Sequence, residues 1–579
     1  MKGMLKQTVN ELIKIWRQLG YRILLFVIAG LMLVAPVLSS VFGKLVSSDM
    51  DIALSAESED DVWGVYANTQ REYGSKFFEE NKLPSWKKSI YAEDLIYYAM
   101  RAKGLELIIA GKFSRAEVLS YFYLNAEDIC EWDAESEAPK ANYYDDVWID
   151  EHYSPVKAKS SYDAAVAELN EFKDKVIVIT EKEVLKRYLD ASEEELTKAE
   201  VNLTMAKSAY EAEKTDVHKS ALDVAQKAFD LQTMMTECWR YAYEKGVAPL
   251  GWEYTLLRTV MPRVSQMLIG TIPVSKSEYE QDPQYMEIFN TVLPYGTYVR
   301  NAERRVRYYE DAMKIYRTAI LNNAPISEVE SVSTKGGIRD TLMSFINIMS
   351  IFMVVLVAGI ISSEFSSGTV RLLLIRPRSR VQIISAKLFA AFIVYAASVI
   401  VMTVLLSAEH LILFGIGDFF TGDAVSLFGA TFVIPGALML LGKIFVSSLP
   451  VLLYMTIAAV MAVLTRRNAV SIIVALISYI SAATVQGIVF AVVNLLPNVA
   501  RWLVYTPLAY TNLPSTTCGA VTMAAAYGQS GIGALLGTGM IDLVSSGASL
   551  GLGIFYYIVG IVLFTFLTLL VFKKKQIKN

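Results

Sequence analysis

The densest group of charged and hydrogen-bonding side chains in the carboxyl-terminal half lies between two long apolar runs. It reads Ser363-Glu364-Phe365-Ser366-Ser367-Gly368-Thr369-Val370-Arg371-Leu372-Leu373-Leu374-Ile375-Arg376-Pro377-Arg378-Ser379-Arg380, followed by Ala386-Lys387. The chemistry on offer is docking. Glu364 and the arginines Arg371, Arg376, Arg378 and Arg380 can pair with charges on a partner, and Gly368 and Pro377 set the backbone path. The segment reads as a short amphipathic element, basic at its far end and stopped by Pro377. The same residues also fit a positively charged loop that only fixes topology.

Other chemistries fail on spacing. A phosphate-cradling loop needs G-x-x-x-x-G-K-[ST]. The nearest approach is Gly111-Lys112, where Glu106 stands in place of the first glycine and Phe113 in place of the hydroxyl. Cys130, Cys238 and Cys518 form neither a CxxC nor a Cys/His cluster, so zinc is not expected. Cys130 and Cys238 share one segment and read as two buried free thiols, or as a pair if that segment faces an oxidising space. The acidic run Glu57-Ser58-Glu59-Asp60-Asp61 lacks the spacing and glycine of a calcium loop. Asn202-Leu203-Thr204 is a glycosylation sequon only in a host that uses it. Glu409-His410 could form a proton site if buried, but reads as an interfacial pair in water, and Asp542 reads the same way. No catalytic residue, cofactor-binding residue or metal ligand is assigned, and no enzyme function is expected of this chain.

The elements that carry these residues are set by hydropathy. The chain has 579 residues, 54% of them hydrophobic, which is too apolar for a soluble protein. The apolar residues are not evenly spread. Residues 44–340 hold 36 basic and 52 acidic residues, a net charge near −16, and read as a soluble segment. That surface offers nothing to nucleic acid, which is excluded as a partner.

A span needs about 20 apolar residues. Residues 23–41, 341–363, 388–408, 444–465, 469–500 and 543–572 meet that requirement and predict six spans. Residues 424–442 would make a seventh, but an odd count would place Arg466, Arg467 and the terminal lysines on the side opposite to the other basic residues. That stretch is therefore expected to be interfacial or re-entrant. Both termini are then cytoplasmic in a multi-pass plasma-membrane protein, and residues 44–340 are extracytoplasmic. Residues 1–22 form a basic amphipathic interface helix with Leu5, Val9, Leu12, Ile13 and Trp16 on one face. Residues 23–43 are kept as an anchor because no small-residue cleavage site follows the apolar run. Residues 502–541 are uncharged, broken by Pro507 and Pro514, and read as short re-entrant helices.

The soluble segment is expected to be mostly helical. Ser192 and Glu195 form a capping-box pattern for a long helix running to Gly246. Within it Val217, Ala221, Val224, Ala228, Leu231, Met235, Cys238 and Ala242 keep a heptad seam, which predicts a coiled-coil stalk or hairpin. Lys175 to Thr180 (KVIVIT) is the one strand-like run. The fold class is thus mainly α: a polytopic membrane protein with six transmembrane helices and a large, mostly helical, coiled-coil-containing extracytoplasmic domain.

The order Glu-Phe-x-x-Gly-Thr, a Leu-Leu run, Pro-x-Ser-Arg and Ala-Lys resembles the first cytoplasmic loop of ABC-2 type permeases. The resemblance covers residues 1–43 and 340–579. It implies that 364–387 is the coupling loop that docks on a separate cytoplasmic ATPase, with Glu364, Phe365, Gly368, Thr369, Arg371, Arg376, Pro377, Arg378, Ser379 and Arg380 as coupling residues. It also implies a membrane-lying amino-terminal helix, re-entrant helices before span six, and a second permease copy, identical or related. ATP and Mg would sit on the partner ATPase. What the resemblance implies is an exporter moving a peptide or lipid-like amphiphile. The alternative is a non-transporting surface receptor or secretion-accessory protein with a coiled-coil ectodomain.

Overall fold

The structure is a computed structural model and describes residues 2–53, 61–131, 146–283, 285–286, 291–326, 334–366, 379–416, 419–427, 430–495, 501–511 and 550–574. The longer helices, numbered in chain order, are α1 (Lys2–Arg17), α2 (Leu19–Ala53), α3 (Ser85–Ala110), α4 (Pro155–Val178), α5 (Glu181–Ala212), α6 (Asp216–Lys245), α7 (Tyr295–Leu321), α8 (Thr334–Ser366), α9 (Arg380–Phe414), α10 (Gly436–Thr465), α11 (Asn468–Ile480), α12 (Ala482–Leu495) and α13 (Leu550–Lys574). Among the described residues the strands form only two antiparallel ladders, β1 (Tyr285–Met286) with β2 (Thr291–Val292) and β3 (Gly422–Leu427) with β4 (Ala430–Pro435). The described residues are mostly helical, as the apolar run lengths and the heptad spacing predict.

The chain divides into two compact units, residues 39–188 with 246–251 and the remainder. In the smaller unit α3 packs along α4 around Leu95, Met100, Leu105 and Ile108, all nearly inaccessible. Gly104 lets α3 approach the 122–124 segment, since a Cβ there would sit 2.8 Å from Leu124 Cδ1. Arg101 spans Asp128 at 3.0 Å and Glu168 at 3.2 Å, joining α3 to its neighbours. The strand-like run is corrected: Lys175 to Val178 is the last turn of α4, a helix started by the Ser154 cap, and burial of Val176 there outweighs the β-branched preference. Cys130 is buried as a free thiol.

The hairpin of α5 and α6 belongs to the larger unit from Leu189 onward. The predicted cap is also corrected. The capping box that starts α5 is Thr180 with Glu183, where Thr180 N donates to Glu183 Oε2 at 2.7 Å and Glu183 N to Thr180 Oγ1 at 3.3 Å. Ser192 lies inside α5, buried, 2.8 Å from Thr236 Oγ1 of α6. Glu193 meets Arg240 at 2.9 Å, so the two helices run antiparallel, and the long helix expected to reach Gly246 is broken at 213–215. Thr215 caps α6 by accepting from His218 N at 3.2 Å. Of the heptad seam, Leu231, Cys238 and Ala242 are buried and Val217 and Ala221 near the tip are exposed. Arg317 of α7 holds Glu237 of α6 through two bonds of 2.8 Å, and Thr318 of α7 reaches Thr431 of β4 at 3.0 Å.

Among the described residues of this unit, four helices are long and apolar enough to cross a membrane, at Gly337–Ser363, Val381–Leu413, Gly436–Thr465 and Gly551–Lys573. A fifth candidate is the pair Leu5–Arg17 and Leu19–Val34, bent by 75°. The stretch 424–442, expected to be interfacial or re-entrant, is made of β3 and β4 paired as an antiparallel ladder and of the first turns of α10, which starts at once after β4. The run 469–500 is not one straight element. It breaks at Ser481 between α11 and α12, and Thr511 Oγ1 donates to the Ala482 carbonyl at 2.6 Å beside that break. Residues 501–511 form two short 3-10 turns whose Tyr510 is buried with Val489, Val493 and Val504. The rest of the proposed re-entrant region lies outside the described residues.

Candidate functional site

The site is built where the ends of α8, α9, α10 and α13 meet. Glu364 and Phe365 ride the last turn of α8. Gly368, Thr369, Arg371, Arg376, Pro377 and Arg378 lie outside the described residues. Ser379 caps α9 by accepting from Gln382 N at 3.3 Å, and Gln382 reaches back to Ser379 N, which makes a capping box; Arg380 is the first residue of that helix. Phe365 packs edge-on against Phe572 of α13, ring centres 6.1 Å apart, with the Arg466 guanidinium 5.9 Å from its own ring centre. Arg466 ends α10 in the left-handed region at φ 59, which stops the helix and precedes Arg467. Three of the proposed span ends thus converge on Phe365.

The fourth end, α9, is tied down by charge. Lys387 Nζ is 2.8 Å from Glu11 Oε2 of α1 and donates to the Ile360 carbonyl of α8 at 3.2 Å. The two side chains are 2% and 5% exposed, so neither is solvated by water. Leaving a buried ammonium without its partner would cost about 3–5 kcal/mol; the carboxylate and the carbonyl offset that cost. Lys14, itself exposed, adds a 3.1 Å contact to Glu11.

α1 faces inward with its polar side. Gln7, Thr8, Glu11 and Ile15 are buried, whereas Leu5, Val9, Ile13 and Trp16 of its apolar stripe are exposed. One residue before Lys387's carbonyl partner, Gly359 meets the Tyr21 hydroxyl of α2 so closely that a Cβ would overlap it. α1, α2, α8 and α9 are therefore locked by one ion pair and one close approach.

The opposite end of α8 carries a second lock. Arg339 pairs with Asp423 of β3, with side chains 5% and 8% exposed. A Cβ on Gly337 would lie 2.7 Å from the His410 ring of α9. His410 is 1% exposed, so the expectation that it stands in water beside Glu409 is corrected: Gly337 packs against the imidazole, and His410 Nδ1 lies 2.9 Å from the Leu406 carbonyl. Among the described residues no group of three or more His, Cys, Asp or Glu side chains is placed to hold a metal.

Sequence reasoning named Phe365, Ser379 and the neighbouring Glu364 and Arg380, and the structure brings Phe365 into the cluster. It passed over Glu11, Arg339, Asp423 and Phe572, took Lys387 only as the end of the loop motif, and used Arg466 only as a topology marker. A signal was present: Glu11 is the only acid before Asp49, and Lys387 is the only charge between Arg380 and Glu409.

Residues 321–578 match a family described as a protein of unknown function (DUF2705). No curated protein matches the chain, and no solved structure does.

Proposed function

We propose that this chain is the permease subunit of an ATP-driven exporter of the ABC-2 type, drawing its energy from a separate cytoplasmic ATPase and working with a second permease copy. The observation that carries the reading is the joint held by Glu11, Lys387 and the Ile360 carbonyl. It links a surface-type helix to the two helices that flank residues 367–378. A force applied to that connection has to travel through protein that touches both flanking helices, and α8 and α9 are joined to α1 by a buried ion pair. They would then move as one body with α1. In this reading the α1–α2 pair and the α11–α12 run complete six spans, both termini are cytoplasmic, and the α5–α6 hairpin is the short coiled-coil part of an outer domain. The cargo class that suits an apolar bundle joined to a helical outer domain is a peptide or a lipid-like amphiphile.

Purification of the full chain in mild detergent, with identification of co-purifying subunits and of cargo-stimulated ATP hydrolysis, tests this. The expected result is an ATPase bound in proportion to the permease. The double variant Glu364→Lys with Arg380→Glu is expected to keep the protein folded and inserted while hydrolysis no longer drives cargo movement. A particle without any ATPase that retains its cellular activity would refute the reading and favour a receptor.

A further inference from the structure

The bend between α1 and α2 encloses a cavity of ≈ 810 Å³, inside the range of about 300–1,000 Å³ typical of ligand sites. Its walls are apolar side chains of α2, α8 and α9, among them Leu25, Phe352, Val394 and Met402. Its charged lining residues are Arg17 and Arg22, both cations, at the elbow where α1 ends and α2 begins. The Nε of Arg22 is buried and has no hydrogen-bond partner. A phosphate oxygen is the acceptor a guanidinium fits best.

We propose that this groove holds one anionic phospholipid, with its phosphate on Arg17 and Arg22 and an acyl chain laid between α2 and α9. Three observations fit that occupant. The two arginines share the elbow with Trp16 and Tyr21, which line the same cavity, and such aromatic residues favour headgroup depth. From Tyr21 to Leu33 the α2 wall rises by about 18 Å at 1.5 Å per residue, roughly the hydrocarbon depth of one leaflet. Among the described residues, no carboxylate lines the cavity to repel a phosphate. The exposed apolar stripe of α1 would lie beside the same lipid, and the Glu11–Lys387 pair on its inward side would hold the elbow open. The site requires only that the chain reside in a bilayer, so it stands or falls apart from the exporter reading.

The test uses the full chain in nanodiscs of phosphatidylcholine containing a minor fraction of phosphatidylglycerol with a photoreactive group midway along one acyl chain. Adducts are expected within residues 25–33 and 393–405. They should fall several-fold in the double variant Arg17→Gln, Arg22→Gln, and unlabelled phosphatidylglycerol should compete better than phosphatidylcholine. Ala397→Trp, which fills the apolar wall without touching the arginines, should lower labelling equally while the elution profile of the protein stays unchanged. Adducts spread evenly over all apolar helices and insensitive to both variants would overturn the proposal, as would equal competition by the zwitterionic lipid. A disulfide between two copies through Ala397→Cys would assign the groove to a copy–copy interface and overturn it as well.

Discussion

Glu11 and Lys387 are 376 residues apart in the chain and 2.8 Å apart in space, each almost completely buried. The pair fastens α1 to α9, and the second bond from Lys387 to the Ile360 carbonyl brings in α8. Removing one member of a buried pair strands the other and costs about 3–5 kcal/mol, whereas replacing both can be close to neutral. Glu11→Gln and Lys387→Met are each expected to lower accumulation and the unfolding midpoint in detergent sharply. The double variant should recover much of the loss, which a double-mutant cycle on the midpoints measures; strict additivity would mean that the pair is not coupled.

The close approach of Gly359 to the Tyr21 hydroxyl makes a sharper steric prediction. Gly359→Ala should cost about 1–3 kcal/mol through overpacking. Adding Tyr21→Phe, which deletes only the hydroxyl, should restore most of it. The readout is the melting temperature of the three variants in the same detergent, and no rescue by Tyr21→Phe would place the strain elsewhere.

Orientation is open to thiol labelling in a background lacking native cysteines. Lys214 near the hairpin tip and Ser379 at the start of α9 are both exposed side chains. An impermeant maleimide on whole cells should label Lys214→Cys and should leave Ser379→Cys untouched until the membrane is opened. The reverse pattern would invert the proposed topology.

Burial raises the carboxyl pKa of Glu253, with a hydrogen bond to its own backbone opposing the shift. A folded pKa above the unfolded one means a contribution to stability that is fully present below the unfolded pKa and lost as pH rises through the folded value. Glu253→Gln removes that loss. The variant should melt higher than the parent at neutral pH, with the difference shrinking to nothing at acid pH, as a series of melting curves across pH would record. A difference independent of pH would assign the effect to packing.

Cys238 is buried in α6, and burial pushes its thiol up to about 12, with Glu237 adding to the shift. So little thiolate forms near neutral pH that alkylation should wait for unfolding. Fast modification of Cys238 in the native protein, read by mass spectrometry, would contradict the packing of α6.

Run length and charge bias made the apolar helices at 341–363 and 444–465 legible, because the need for about 20 apolar residues is a property of one segment read alone. The same is true of the broken character of 502–511 and of the basic amphipathic helix near the amino terminus. Local patterns were less decisive where two segments compete for one role. Thr180 with Glu183 and Ser192 with Glu195 carry the same capping signature, and only the meeting of Ser192 with Thr236 across the hairpin made the second an interior position. KVIVIT reads as a strand by propensity, yet Val176 finds its burial as a helical residue. The strand pairing inside 424–442 could not be read from the sequence, since a hairpin is defined by which residues pair, Gly422 with Pro435 through Leu427 with Ala430. The amphipathic stripe of α1 was plain in the sequence, but its direction was not: periodicity says that two faces differ, and packing alone turned Glu11 inward and Leu5, Val9 and Ile13 outward. The lone acid at 11 and the lone base at 387 were visible as isolated charges in apolar surroundings. That they answer each other was decided only in three dimensions, because a buried charge stays where another part of the chain supplies its counter-charge, and no one-dimensional spacing encodes a contact across 376 residues.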